Sequence, residues 1–206
     1  MNKVAFYTCL YGDYDDLKDP LVKKGDWFCF TDQKINSKIW KSLEVPKVSK
    51  DLTRCCRYCK LNPWELIPNY DAYIWQDACC QFINDKIFSK LEYDFSLFLH
   101  SEIKQLFYEI ELIKQLKKED NELVNNQFKH YKAQGLPFDA NLYETTCFIA
   151  KSNQKDFFGH WYNEIVNFSK RDQVSLCYLM WKHNKTPNIL PGTVYYNPYF
   201  LKNNHK

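Results

Sequence analysis

Short apolar runs separated by turn-forming residues dominate the first half of the chain. Three such runs, rich in β-branched and aromatic residues, cover residues 4–10, 27–30 and 39–45. Runs of this length and composition are typical of strands. The first is followed by the segment 11–16, in which Gly and Asp alternate with Tyr, and the second by Thr31 and Asp32. The pattern predicts three strands, two of which deliver polar side chains to a loop.

Helical and strand-like segments alternate in the rest of the chain. Helices are predicted at 53–61, 105–118, 121–134, 155–168 and 173–183, and buried strands at 71–77, 95–100 and 144–150. This alternation is typical of an α/β domain with a mixed, mostly parallel sheet flanked by helices. Two of the strands end in Asp77 and His100. Because open α/β sheets bind ligands at the carboxyl ends of their strands, both residues are candidates for a site.

The length and composition of the chain suit a single soluble domain. Its 206 residues are 45% hydrophobic and 26% charged, and Lys plus Arg (28) exceed Asp plus Glu (25) by only three. So small an excess does not indicate a nucleic-acid partner or a membrane surface. The sequence has neither a long apolar span nor a signal peptide, so we expect a cytoplasmic protein without a transmembrane segment. We expect one domain over residues 1–206, and it is open whether this domain is part of a larger multidomain protein.

Three cations recur at three-residue spacing in the first predicted helix. They are Arg54, Arg57 and Lys60, and on a helix they share one face. Guanidinium groups pair with phosphate oxygens through two parallel hydrogen bonds. The row therefore predicts contacts with a diphosphate, and a solvated helix face is the alternative.

Nine cysteines raise the question of zinc or redox chemistry. Cys56 and Cys59 form a C-x-x-C match, and Cys79 and Cys80 are adjacent. Adjacent cysteines point to opposite sides of a strand, which is a poor geometry for half of a tetrahedral site. We therefore expect free, mostly buried thiols, with a zinc or redox protein as an alternative interpretation.

Two aspartates are the main candidates for chemistry. Asp77 leaves a buried strand, where a carboxylate can ligate a divalent cation whose other ligands are phosphate oxygens and water. Asp172 begins a helix, where it can hold a sugar hydroxyl with Arg171 beside the phosphates. For both residues the alternative is a helix cap. The side chains expected to cradle a base and ribose along the same sheet edge are Thr8, Tyr11, Tyr14, Thr31 and Asp32.

Several of these segments form a recognisable series. It comprises Y-T-C-L-Y-G-D-Y-D at 7–15, F-T-D at 30–32, Y-I-W-Q-D at 73–77, K-R-D-Q at 170–173 and N-P-Y-F at 197–200. The series resembles a glycosyltransferase family first catalogued as a domain of unknown function, with members in bacteria, in plants, where they are mucilage-related, and in large chlorella viruses. The resemblance extends over nearly all of the chain.

The resemblance implies a GT-A fold of Rossmann-like type and a nucleotide-sugar donor. It implies that a UDP-sugar donates a hexose or deoxyhexose to a glycan or glycoprotein acceptor, for which a viral capsid glycan is one candidate. It also implies Mn²⁺ or Mg²⁺ at a degenerate D-x-D motif, with Asp77 and Cys79 as ligands; Cys79 stands where the motif has its second acid. The implied donor-binding residues are Thr8, Cys9, Tyr11, Tyr14, Thr31, Asp32, Arg54, Arg57, Lys60, Asp77, Ala78, Arg171 and Gln173.

The resemblance also suggests catalytic roles. Asp172 corresponds to a donor-sugar or catalytic carboxylate, and the Asp-Gln pair at a helix start is similar to that of glycogenin-like retaining transferases. Retention is therefore the expectation, and an inverting enzyme would instead use Asp172 or His100 as a base near the acceptor. A catalytically silent module that binds a nucleotide-sugar or a carbohydrate is the alternative function.

Overall fold

Strands and helices alternate along the chain as the pattern predicts. The structure is a computed structural model that describes residues 3–12, 14–103 and 105–204. The strands are β1 (Val4–Leu10), β2 (Asp26–Thr31), β3 (Lys41–Leu43), β4 (Ala72–Gln76), β5 (Cys80–Phe82), β6 (Phe95–Leu99), β7 (Tyr143–Lys151), β8 (Asn188–Ile189) and β9 (Phe200–Lys202). The helices are α1 (Leu52–Leu61), α2 (Pro63–Leu66), α3 (Leu106–Gln115), α4 (Asn121–Ala133), α5 (Lys155–Asn167) and α6 (Asp172–Lys182).

One seven-stranded sheet organises the domain. Its strand order is β3-β2-β1-β4-β7-β6-β8. Strand β1 pairs in parallel with β2 and β4, whereas β7 runs antiparallel to both β4 and β6. The carboxyl ends of β1, β2, β4 and β6 therefore meet the amino end of β7 at one edge, which we call the carboxyl edge. The mixed, mostly parallel sheet and the α/β fold class are confirmed.

The two faces of the sheet are covered differently. Apolar side chains from all six helices pack with Tyr7, Tyr73 and Phe148 on one face. The opposite face packs Phe6 and Ile74 against residues of the small antiparallel sheet β5–β9 and of the connecting segments. Because successive strand residues alternate between faces, β1 and β4 are buried on both sides, which explains their continuous apolar runs.

Some element boundaries differ from the prediction. Strand β3 is three residues long rather than the predicted 39–45, because Trp40 leaves the ladder and packs edge-on against Trp27 at 5.1 Å. The short strands β5 and β9 and the single-turn helix α2 were not predicted. No helix in the described part of the chain is long and apolar enough to cross a bilayer.

Candidate functional site

An ion pair buried beneath the carboxyl edge joins α1 to the start of α6. The Lys60 Nζ atom lies 2.6 Å from Asp172 Oδ2, and Arg57 Nη2 lies 3.2 Å from Asp172 Oδ1. The Lys60 and Asp172 side chains are 1% and 3% exposed, whereas that of Arg57 is 17% exposed. We call these three residues the Asp172 cluster. Arg57 is the member through which the cluster reaches solvent.

The surroundings of the Asp172 cluster keep its carboxylate ionised. Burial acts to raise the pKa of Asp172, but Arg57 and Lys60 outweigh it and hold the pKa well below its ordinary value. Burial lowers the pKa of Lys60, opposed by Asp172 and Asp77. Lys60 also donates to the Thr145 carbonyl at 2.6 Å. With two cations and one carboxylate, the cluster has an excess of one positive charge, which the adjoining carboxylate of Asp77 balances.

Asp172 does not cap the helix that it begins. Arg171 is the N-cap residue of α6 and makes no side-chain capping bond, and Asp172 is the first helical residue. Its backbone carbonyl accepts a hydrogen bond of 3.0 Å from the Trp161 indole. The interpretation of Asp172 as an N-cap is therefore wrong, because its carboxylate is used by the two cations.

Asp77 lies directly after β4 on the carboxyl edge and is half-buried. Its backbone N–H donates to the Thr146 carbonyl at 2.8 Å, and its Oδ1 accepts from the Trp75 indole at 3.0 Å. These contacts fix the carboxylate beside Arg57 and Lys60, whose pKa values it raises through space. Asp77 is thus held at the place where the sequence predicts a metal ligand.

A metal at Asp77 would depend on ligands from outside the protein. No group of three or more His, Cys, Asp or Glu suited to a metal ion occurs among residues 3–12, 14–103 and 105–204. A cation held by one carboxylate can take its other ligands from phosphate oxygens and water, as Mg²⁺ commonly does, and Asp77 fits such a site. Cys79, the second predicted ligand, is 1% exposed within the apolar cluster of the opposite sheet face. That position does not support a role in metal binding.

A second carboxylate on the same edge, Glu144, was not anticipated from the sequence. It lies near the amino end of β7, and its Oε1 is 3.3 Å from His100 Nε2. Gln173 Nε2 lies 3.4 Å from Glu144 Oε2 and 3.2 Å from the Tyr143 carbonyl. Burial raises the pKa of Glu144 to about 7. We call Glu144, His100 and Gln173 the Glu144 cluster.

The hydrogen bonds of His100 define its tautomer. Its Nδ1 accepts from the backbone N–H groups of Ile103, at 3.0 Å, and Glu102, at 3.3 Å. Burial lowers the pKa of His100, which favours the neutral imidazole. With Nδ1 as an acceptor, the ring proton resides on Nε2 and is directed at Glu144. His100 therefore orients Glu144 and is not free to act as the base that the sequence suggested.

Comparison with known families decides the relationship of the chain. A family model described as TOD1/MUCI70, glycosyltransferase-like domain, matches residues 1–192. The chain belongs to this family. No curated protein matches it. Membership of a glycosyltransferase-like family agrees with the mixed, mostly parallel sheet of this α/β domain.

The predicted basic row is divided in this TOD1/MUCI70 domain. Arg54 donates to the backbone carbonyls of Ile165 and Phe168, the latter at 2.9 Å. It therefore binds the carboxyl end of α5, where free carbonyls attract a cation. Arg57 instead joins the Asp172 cluster and donates to the Lys170 carbonyl at 3.3 Å. Of the two arginines, Arg57 is the one that lies at the site.

The predicted nucleotide loop of the domain is partly used for packing. The Tyr11 hydroxyl donates to the Val45 carbonyl at 3.2 Å, so its ring is part of the core. Thr31 Oγ1 accepts from the N–H of Gln33 at 3.0 Å, and Asp32 pairs with Lys47 at 2.7 Å. Asp13, within the loop motif, lies outside the described residues.

Other residues near the predicted loop differ in their access to solvent. Tyr14 is 63% exposed. Thr8 is fully buried, and its Oγ1 has no hydrogen-bond partner in the described part of the chain. All nine cysteines are free, and the Cys9 thiol on β1 lies close to those of Cys56 and Cys59 on α1. The start of the loop, at Tyr11, is therefore packed in the core, whereas the ring of Tyr14 is exposed.

Proposed function

We propose that this domain transfers a hexose or deoxyhexose from a UDP-sugar to a hydroxyl group of a glycan or glycoprotein acceptor. The observation that carries the proposal is the grouping of Arg57, Lys60 and Asp77 at the carboxyl ends of the strands, where a partly exposed guanidinium group adjoins a carboxylate. A divalent cation held by Asp77 would leave this group with excess positive charge, so the site would favour an anionic ligand. A diphosphate satisfies this requirement at the edge where α/β sheets bind nucleotides.

Arg57 and Asp77 have complementary roles in the proposed donor site. Arg57 presents a partly exposed guanidinium group to the phosphates, while Lys60 supplies positive potential from beneath. Asp77 would hold Mn²⁺ or Mg²⁺, which, when bound, would neutralise charge that develops on the departing diphosphate. The preference for uridine rests on the family resemblance and on the exposed ring of Tyr14.

The role of Asp172 in this proposal differs from the one expected from the sequence. Both carboxylate oxygens face cations, at 2.6 Å and 3.2 Å, and the side chain is 3% exposed. This arrangement supports a positioning residue that fixes Arg57 and Lys60, rather than a group in contact with the sugar. The expectation of retention came from the resemblance of the Asp-Gln pair at the helix start, and it stays a prediction.

The test is a thermal-shift and UDP-release assay. A ligand that binds only the native state raises the melting temperature, so UDP with Mn²⁺ should stabilise the protein more than ADP or GDP does. UDP release from UDP-sugars in the presence of simple glycosides should follow. Equal shifts for all three nucleotides would reject the uridine preference, and UDP binding without release would favour the silent module.

Arg57 and Arg54 provide a matched pair of variants for the donor site. Arg57→Ala should weaken UDP binding by about tenfold or more, because a hydrogen bond to a charged group contributes roughly 1.5–3 kcal/mol. Arg54→Ala removes the same group from the same helix, yet its partners are the carbonyls at the end of α5. Its UDP affinity, measured by titration calorimetry, should be unchanged. Equal affinities in both variants would place the diphosphate elsewhere.

A further inference from the structure

A register shift between β6 and β7 shapes the part of the carboxyl edge that holds Glu144. Leu97 pairs with Phe148, but the next residue, Phe98, pairs with Glu144. One step along β6 thus corresponds to four along β7, so β7 bulges over residues 145–147. Bulges of this kind occur next to active sites, where they redirect a side chain or a carbonyl group.

The bulge links Glu144 to the donor side of the site. The carbonyls of Thr145 and Thr146, which belong to the bulge, accept from Lys60 Nζ at 2.6 Å and from the Asp77 N–H at 2.8 Å. In the sheet β7 lies between β4, which ends before Asp77, and β6, which ends before His100. The same backbone irregularity therefore holds the donor-site charges and places Glu144 beside them.

The carboxylate of Glu144 is oriented without being neutralised. His100 Nε2 faces one oxygen at 3.3 Å and Gln173 Nε2 faces the other at 3.4 Å, and both are uncharged donors. The Glu144 side chain is 11% exposed, so part of it reaches the edge. Fixed geometry, solvent access and an unpaired charge are the properties that a general base requires.

We propose that Glu144 accepts the proton of the acceptor hydroxyl during sugar transfer and that His100 positions it. The inference rests on the proposed function. As the acceptor oxygen bonds to the anomeric carbon, its proton passes to a Glu144 oxygen. The bond from that carbon to the diphosphate breaks, and its electron pair leaves on the phosphate oxygen. Glu144 then releases the proton to water, and an inverting displacement requires such a base.

The charges around Glu144 suit this role. Burial raises its pKa to about 7, and Lys202 on β9 opposes the rise. Asp77, Glu109 on α3 and Glu102 after β6 raise it further, and the adjoining His100 is neutral. A base is most effective when its pKa lies near the operating pH. The transfer rate should therefore rise with pH to a plateau, with a midpoint near 7.

The decisive variant is Glu144→Gln, which keeps the shape of the side chain and an oxygen that can accept from His100. Removal of a general base lowers turnover by roughly 10²–10⁴-fold. We expect a loss of kcat of at least about 100-fold in UDP release from UDP-glucose or UDP-rhamnose with p-nitrophenyl glycosides, and loss of the pH midpoint near 7. UDP affinity should stay within about twofold, because the donor contacts remain.

Two further variants separate catalysis from structure. His100→Phe removes a donor to the ionised carboxylate, so it should shift the pH midpoint upward while some activity remains at high pH. Glu122→Gln, an exposed carboxylate on α4, is the control and should keep both the rate and the pH profile. A buried glutamate with a purely structural role would alter stability but not the pH midpoint.

The outcomes distinguish this inference from the proposed function. Turnover by Glu144→Gln within about fivefold of the wild-type protein, with the same pH profile, would overturn the role of Glu144 alone. If Glu144→Gln does not fold, a wild-type profile without a midpoint near 7 overturns it equally. A wild-type protein that neither binds UDP nor releases it from the sugars overturns the proposed function and this inference together.

Discussion

Two buried carboxylates at one sheet edge have opposite electrostatic surroundings. Asp172 faces an ammonium at 2.6 Å and a guanidinium at 3.2 Å, and these cations hold its pKa well below the ordinary value. Glu144 faces only neutral donors, and burial raises its pKa to about 7. Because both acids are buried, the contrast shows that charged neighbours decide whether a buried acid stays ionised or titrates near neutral pH.

The largest effect that tests this contrast is the loss of Asp172. Asp172→Asn leaves Lys60 buried without its anion, and removing one partner of a buried pair costs about 3–5 kcal/mol. We expect the free energy of unfolding, measured with urea at pH 7, to fall by this amount. Asp94→Asn is the control, because its pair with Lys151 is long, at 3.4 Å, and Asp94 is 57% exposed.

The exposed pair of Asp94 and Lys151 should contribute less than about 1 kcal/mol to the free energy of unfolding. A loss in Asp172→Asn no larger than that in Asp94→Asn would mean that Lys60 simply releases its proton when Asp172 is removed. The fixed-charge interpretation of the Asp172 cluster would then fail. Stability of the wild-type protein should also decline as the pH falls below the ordinary range of an aspartate, since a lowered folded pKa stabilises only the ionised form.

The second prediction concerns the opposite pH dependence of Glu144. Its folded pKa is raised from 4.5 to about 7, so the folded state binds the proton more tightly than the unfolded state does. Stability from this group is therefore full below pH 4.5 and is lost as the pH rises through 7. Glu144→Gln abolishes this loss, so its unfolding free energy relative to wild type should increase by about 3 kcal/mol from pH 5 to pH 8.

Urea unfolding at several pH values measures the Glu144 effect. The exposed Glu122 on α4 gives a control variant, Glu122→Gln, that should follow the wild-type curve in this range. If Glu144→Gln and wild type lose stability in parallel between pH 5 and pH 8, Glu144 does not titrate there. Its surroundings would then resemble those of an ordinary surface acid, and the contrast with Asp172 would disappear.

The sequence predicted the fold more completely than the site, for physical reasons. Continuous apolar runs revealed β1 and β4, because both faces of these strands are buried. Strands β5 and β9 have three residues each and pair across the chain, with Cys80 opposite Lys202, so no local pattern marks them. The three-residue spacing correctly placed Arg57 and Lys60 at the site but wrongly added Arg54. Residues on one face of a helix can contact different elements: Arg54 contacts the end of α5, and Arg57 contacts the start of α6.

Glu144 could not be found from local pattern. It lies within an apolar strand, and its position depends on a register shift between β6 and β7 that the hydrophobic pattern of the sequence does not indicate. The sequence shows only a glutamate at the second position of a buried strand, whose amino end lies at the carboxyl edge. For Tyr11 the predicted position in the loop was correct, but its ring packs in the core instead of facing a ligand.

The smallest expected effect distinguishes the two carboxylates through Gln173, which follows Asp172 in sequence but contacts Glu144 in space. Its Nε2 lies 3.4 Å from Glu144 Oε2, and loss of so long a hydrogen bond removes about 0.5–1 kcal/mol of support for the ionised form. Gln173→Leu should therefore raise the pH midpoint of Glu144 by roughly half a unit, seen as a shift in the pH dependence of unfolding. The decline in stability at acid pH that arises from Asp172 should not move, because Asp172 is held by Lys60 and Arg57.

Gln134→Leu, at the end of α4, is the control for a lost amide and should leave the pH dependence that arises from Asp172 and that from Glu144 unchanged. If Gln173→Leu shifted the decline in stability at acid pH, Gln173 would be coupled to its neighbour Asp172. The Asp172 and Glu144 clusters could then no longer be treated as electrostatically separate.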